Sequence, residues 1–223
     1  MHIVAPEIEC YLASLESVDP LLARVADEGA RLDLPIIDTA VGRFLEAVVM
    51  STGARQVLEI GTANGYSALW LARSLPIDGQ LISIEIDPGR ATVARGHFAE
   101  AGLTDRTNVI VGDAARMVHK VAGPFDVIFN DGDKQQYGPL LDRLVTLLRP
   151  GGVLVTDNVL WDGEVVPGFV TPPRRQPDDT AAIAAYNRRL AADPRLVTSF
   201  LPVRDGLAMS VKKRQLERVT NSQ

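Results

Sequence analysis

One cysteine, Cys10, leaves the chain without an internal disulfide or a cysteine-cluster zinc site, and Cys10 itself reads as a buried or half-buried bystander. Histidine is nearly as scarce, and His2, His97 and His119 have no ligand spacing. No run approaches the roughly 18 apolar residues of a membrane span. Met1 to Glu7 hold neither a basic stretch nor an apolar core, so the expectation is a cytoplasmic protein with no membrane partner. The net charge of -5 argues against nucleic acid as the obvious partner. There is no internal repeat and no low-complexity tract. What is present, 46% hydrophobic and 23% charged residues, suits one α/β domain with a sizeable core, and residues 1–223 are read as a single domain.

The stretch from Val57 to Ser67 organises the rest. Val57-Leu58-Glu59-Ile60 reads as a buried strand, Gly61 to Gly65 as a tight turn, and Tyr66 to Ala72 as the start of a helix. Such a turn lets a ligand approach the backbone closely and aims a helix N-terminus at it. It can also serve only the geometry of the chain itself. The spacing is E-x-G-x-x-x-G rather than the G-x-G-x-x-G of dinucleotide folds, and Glu59 places a carboxylate where it would repel phosphate and favour a cationic ligand. S-adenosylmethionine carries both an ammonium and a sulfonium. Leu81 to Glu85 reads as a second strand ending in an acid where such folds grip the ribose hydroxyls. After a third strand, Val109 to Val111, the segment Gly112-Asp113-Ala114 offers a carboxylate to an adenine amino group.

Around this unit the elements alternate. Three helices, Ile8 to Leu15, Pro20 to Leu32 and Thr39 to Ser51, form an N-terminal helical segment over residues 1–52. Further helices are expected from Asp87-Pro88 to about Ala101, from Ala115 to Val121, from Tyr137 to Leu148 and from Thr180 to Ala192. Strands are expected over Phe125 to Phe129 and Val153 to Thr156, and short βα connections imply parallel pairing with right-handed crossovers. Leu196 to Leu201 and Leu207 to Val211 should form an antiparallel hairpin at the sheet edge. Residues 163–178 hold Pro167, Gly168, Pro172, Pro173 and Pro177 and read as a long loop over the substrate. Residues 213–223 read as a flexible tail.

Acids and amides gather past the ends of the fourth and fifth strands. Asp131-Gly132-Asp133-Lys134 follows one and Asp157-Asn158 the other, and in an open parallel sheet the ligand crevice lies beyond those ends, where strand order reverses. Asp131, Asp157 and Asn158 would make a hard-oxygen set suited to Mg²⁺ first, or Mn²⁺ or Ca²⁺. Lys134 could reach the same space and, with its pKa lowered by a cation, act as a base. Taken singly, each acid could equally cap a helix or form a turn.

These residues together resemble the cation-dependent class I O-methyltransferases related to the caffeoyl-CoA and catechol enzymes, most closely the bacterial members. The resemblance runs from about residue 36 to 212 through Val57-Leu58-Glu59-Ile60-Gly61, Gly65-Tyr66-Ser67, Ile84-Glu85-Ile86-Asp87, Gly112-Asp113-Ala114, Asp131-Gly132-Asp133-Lys134 with Tyr137, Arg149-Pro150-Gly151-Gly152, Asp157-Asn158-Val159-Leu160-Trp161 and Asp205-Gly206-Leu207. It implies a Rossmann-like S-adenosylmethionine-dependent methyltransferase fold with a mostly parallel seven-stranded sheet, helices on both faces and an antiparallel C-terminal edge hairpin. Implied cofactor contacts are Glu59, Gly61, Gly65, Ser67, Glu85, Asp113, Ala114 and Asp131. Asp131, Asp157 and Asn158 become metal ligands, Lys134 the catalytic base, a hydroxylated aromatic small molecule the acceptor, and a homodimer the assembly. Ala40-Val41-Gly42 departs from the Asp-Glu-Gly of plant members, and Asn130 stands where an apolar residue is expected. Two other functions fit less well: a tRNA hydroxyuridine O-methyltransferase using Arg174-Arg175, Arg188-Arg189 and Lys212-Lys213-Arg214, and a non-catalytic adenosyl-ligand binding protein.

Overall fold

Three aspartates start three helices. Asp19 Oδ1 accepts from Leu22 N at 3.0 Å, Asp38 Oδ1 from Val41 N at 2.9 Å, and Asp87 Oδ1 from Gly89 N at 2.7 Å. Pro20 and Pro88 hold the first helical positions of two of them, where a missing N–H costs nothing. The computed structural model describes residues 4–17 and 19–214. In chain order its elements are α1 (Pro6–Ser14), α2 (Pro20–Arg31), α3 (Thr39–Thr52), β1 (Gln56–Ile60), α4 (Tyr66–Arg73), β2 (Gln80–Glu85), α5 (Pro88–Glu100) and β3 (Thr107–Val111). There follow α6 (Ala114–Met117), β4 (Phe125–Asn130), α7 (Tyr137–Leu147), β5 (Leu148–Thr156), α8 (Pro177–Ala192), β6 (Leu196–Leu201) and β7 (Leu207–Lys212).

The strands form one seven-stranded sheet in the order β3-β2-β1-β4-β5-β7-β6. The first five are parallel, and β7 runs antiparallel to both β5 and β6. Alternate side chains along each strand feed two cores. Val57, Phe129 and Val155 pack with Leu45, Leu69 and Trp70 of α3 and α4 on one face, and Leu58, Ile128 and Leu154 with Leu141 and Tyr186 of α7 and α8 on the other. Helices therefore cover both faces. Strand order reverses between β1 and β4, which opens the crevice beyond their C-terminal ends.

Several boundaries differ from the expectation. β5 starts at Leu148 rather than Val153, because Leu148 already pairs with Phe125 and the strand runs on through an irregularity, with Gly151 at φ 78°, where the register against β4 shifts between Phe125 and Val127. Arg149 Nε bonds Asp126 Oδ1 at 2.5 Å, and Asp126 Oδ2 accepts Arg55 N and Gln56 N at 2.8 Å each, which ties that corner to β1. α6 spans only Ala114–Met117. α8 begins at Pro177, a proline serving the first turn, so the irregular segment ahead of it is shorter than 163–178. Cys10 is exposed, not half-buried, because α1 shows most of its surface to solvent, Tyr11 and Leu12 included. Lys212, expected outside the hairpin strand, ends β7 and donates to the carbonyls of Val145 and Leu148 at 2.7 Å each. The rest of the expected tail, from residue 215, lies outside the described residues. Among the described residues no helix is long and apolar enough to cross a membrane.

Candidate active site

Asn130 and Thr156 are register partners, so Asp131 and Asp157 leave adjacent strands side by side. They stand at the base of a cavity of about 1020 Å³ that is also lined by Gly61 to Ala63, Ser67, Glu85, Asp113, Lys134, Asn158 and Trp161. Asp157 is 1% exposed. Burial and then the charge of Asp131 push its carboxyl up to about 7, against the pull of the Asn158 N–H, Lys134 and Arg204. Asn158 adopts a left-handed φ of 59°, donates its N–H to Asp157 Oδ1 at 2.7 Å, and turns its Nδ2 to Asp205 Oδ2 at 3.4 Å. Lys134 Nζ donates to Asp131 Oδ1 at 2.8 Å and to the Tyr137 hydroxyl at 2.9 Å. That hydroxyl donates in turn to the Asp157 carbonyl at 3.2 Å. The four residues predicted to carry the chemistry thus converge.

The donor set fits a hard divalent cation, since burial and then the charge of the neighbouring Asp131 drive the Asp157 carboxyl toward its neutral form, and a cation would relieve both. Among the described residues no three His, Cys, Asp or Glu side chains form a metal-binding cluster. A cation here would accordingly draw on the Asn158 amide oxygen and on water beside the two aspartates.

The glycine turn lies over the same cavity. Gly61 has φ 92°, and a Cβ there would stand 2.5 Å from the Asp131 carbonyl oxygen. Gly65 has φ 88°, and its Cβ would meet Ala94 of α5 at 3.0 Å. Both glycines are thus demanded by close packing of the chain on itself. Glu59 and Gly65 lie behind the cavity wall rather than in it. Glu59 is fully buried, accepts from Ser67 Oγ at 2.6 Å and Ser83 Oγ at 2.5 Å, and is pushed up to about 7 by that burial against the two hydroxyls. Its partner Ser67 lines the cavity. Glu85 holds the turn directly, since Oε2 accepts Thr62 N at 3.1 Å and Ala63 N at 2.8 Å while Oε1 accepts Asp87 N at 2.9 Å. A carboxylate has lone pairs to spare beyond these for ribose hydroxyls. Asp113 caps α6 at Ala115 N, 3.1 Å away, and Ala114 follows it in the wall.

Some wall residues were given no role from sequence. Gln136 donates to Asp113 Oδ1 at 3.0 Å and accepts from Ala115 N at 3.1 Å, joining the loop after β4 to the loop after β3. Asp205 arrives from the β6–β7 turn, and burial raises its pKa. It also accepts from Asp162 N. Its place in Asp205-Gly206-Leu207 was the only sign. At the outer end, the Arg175 guanidinium lies 4.6 Å from the Trp161 ring centroid and pairs with Asp162 at 2.6 Å. Ala40 lines the cavity, and Asn130 is fully buried beneath Asp131.

Residues 14–213 match the O-methyltransferase family. The chain belongs to that family. It is 34% identical over 218 residues to a catechol O-methyltransferase of Niastella koreensis, covering 92% of this chain and 96% of that protein. It is 31% identical to a putative caffeoyl-CoA O-methyltransferase of Arabidopsis thaliana, over 81% of this chain and 78% of that one. Among solved structures, the O-methyltransferase from Bacillus cereus in complex with SAH superposes with a TM-score of 0.83 at 32% identity, covering 93% of this chain and 97% of that one. The family and the sheet topology expected from the sequence are those found, and the chain is an O-methyltransferase.

Proposed function

We propose that this O-methyltransferase transfers the methyl group of S-adenosylmethionine to one of two adjacent hydroxyls on an aromatic small molecule, with a divalent cation at Asp131, Asp157 and Asn158. The observation that carries the reading is the convergence of those three oxygen-bearing side chains with Lys134 at the end of one cavity. The glycine turn, Ser67, Glu85 and Asp113 support a place for the cofactor along the rest of that cavity. A bound cation would supply a lowered pKa at a coordinated acceptor hydroxyl.

The chain's own residues do the remainder. Lys134 Nζ, held between Asp131 and the Tyr137 hydroxyl, is placed to receive the acceptor's proton once it is itself neutral. Trp161 lines the cavity with the Arg175 guanidinium over its ring, which gives that end an aromatic and cationic wall suited to an aromatic acceptor. The acceptor oxygen then forms a bond to the methyl carbon as the carbon–sulfur bond breaks, leaving S-adenosylhomocysteine, and alignment of the two ligands supplies much of the rate. The arginine pairs considered for RNA are partly engaged within the protein, Arg175 with Asp162 and Arg189 with Asp142.

The test is transfer of labelled methyl from S-adenosylmethionine to catechol, caffeate and caffeoyl-CoA, with Mg²⁺ and then with excess chelator. Transfer abolished by chelator is the expected result. Chelator-resistant transfer would remove the cation from the reading, and transfer only to hydroxylated tRNA would replace the acceptor.

A further inference from the structure

We propose that His97, on α5, is a positioning residue for the cofactor turn, and that it fastens the turn to α2 through Glu28. The proposal rests on the reading that the turn holds the cofactor. Asn64 lies in the middle of the turn, 1% exposed, between Ala63 at φ 47° and Gly65 at φ 88°. Left-handed residues on either side of Asn64, one of them the non-glycine Ala63, make a backbone shape that needs outside support. That support comes from behind, on the side away from the cavity.

His97 Nδ1 lies 2.8 Å from the Asn64 carbonyl oxygen, and His97 Nε2 lies 2.9 Å from Glu28 Oε2. Each ring nitrogen faces an oxygen atom, so the ring is held between the turn on one side and α2 on the other. Glu28 Oε2 is buried with no aligned hydrogen bond among the described residues, so the close approach of Nε2 at 2.9 Å is an ion-pair contact that faces an otherwise unpartnered carboxylate oxygen. Asn64 adds a second tie, donating Nδ2 to the Val25 carbonyl of α2 at 2.8 Å. Gly29 of the same helix leaves room for Ile36, whose Cδ1 would stand 2.6 Å from a Cβ there. One turn along, Arg24 of α2 pairs with Glu100 of α5 across the same helix contact.

α2 leads into Pro35 to Ala40, which line the other side of the cavity. The relay Asn64–His97–Glu28 therefore links the cofactor turn to the helix that carries a wall of the acceptor end. Nothing in it touches a reacting atom. Its effect falls on how well the turn is preformed, and so on cofactor affinity.

Isosteric placement separates the two ring bonds. In His97→Asn the amide nitrogen can stand near the position of Nδ1 and keep the bond to Asn64, whereas in His97→Gln it can reach toward Nε2 and keep only the contact to Glu28. His97→Leu loses both. Titration calorimetry with S-adenosylhomocysteine should give a Kd about threefold weaker than wild type for the Asn variant, which loses the Glu28 contact alone, and about tenfold weaker for the Gln and Leu variants, which lose the bond to the turn. KM for the cofactor should follow, with kcat at saturating cofactor and KM for the acceptor little changed. Wild-type affinity in His97→Gln would overturn the proposal. So would losses that track melting temperature, with the Asn variant as weak as the Leu variant. If the His97 variants do not fold, Glu28→Gln must still weaken S-adenosylhomocysteine, and full affinity there is fatal to the relay. Gly61→Ala serves as the control for the turn itself. If it leaves Kd unchanged, the turn is not where the cofactor binds and both readings fall. If it abolishes binding while the His97 variants bind normally, only the relay falls.

Discussion

Glu59 should make the empty enzyme lose stability as the medium turns from acid to neutral. Its carboxyl is wholly buried, and burial raises it from 4.5 to about 7 despite the hydroxyls of Ser67 and Ser83. The folded chain therefore holds this proton more tightly than the unfolded chain does. Below 4.5 both states are protonated and the full stabilisation is present. Between 4.5 and about 7 the unfolded state releases the proton while the folded state keeps it, so stability falls with rising pH and levels off above that window. At about 1.4 kcal/mol per pH unit, the window corresponds to roughly 3 kcal/mol. Glu59→Gln keeps the shape and removes the titration. Its amide oxygen can accept from Ser67, and its NH₂ can donate to Ser83 Oγ, which can pass its own proton to Thr62 Oγ1, 2.5 Å away. Urea unfolding of both proteins with chelator present, from pH 4.5 to 8, should show the variant gaining on wild type by up to about 3 kcal/mol. Asp157 titrates in both proteins and cancels in the difference. Parallel curves would refute the reasoning, because they would mean that Glu59 stays ionised in its buried site.

Lys134→Ala should lower kcat by about a hundredfold or more, the usual range for a lost acid–base group, while S-adenosylhomocysteine affinity stays near wild type by calorimetry. Asp157→Ala should lose activity and metal response together, read as methyl transfer across a Mg²⁺ series. Gly42→Ala should destabilise by about 1–3 kcal/mol in a thermal melt, since its Cβ would press into the buried Trp70 indole.

The centre of this site was legible because its residues follow strand ends in sequence. Asp131 and Asp157 each come just after a strand, and parallel pairing of β4 with β5 does the rest. Neither needs any knowledge of loops. Glu59 was legible as a special acid but not as a buried one, because its two serine partners lie 8 and 24 residues away, Ser67 returning on α4 after the glycine turn and Ser83 arriving through the β1–β2 pairing. Gln136 and Asp205 went without roles for a similar reason, each being fixed by contacts between loops that periodicity does not describe. His97 was seen only as a histidine with no ligand spacing, and its partners come from α2 and from the turn. Strand boundaries failed where proline and glycine were read as breakers. Arg149 to Gly152 remain in β5 because that part of the strand tolerates an irregular ladder.

The place of β7 in the sheet has a bearing on how the molecule is made. Although it is the last strand of the described chain, it lies inside the sheet, bonded to β5 on one side and β6 on the other. A chain emerging from the ribosome must therefore wait with the outer edge of β5 unpaired until the β6–β7 hairpin has been synthesised and can dock as a unit. Asp205 rides on the turn of that hairpin and reaches Asn158 only on docking. Completion of the sheet and completion of the candidate active-site cavity are then a single late event, so a chain that stalls before residue 207 lacks both.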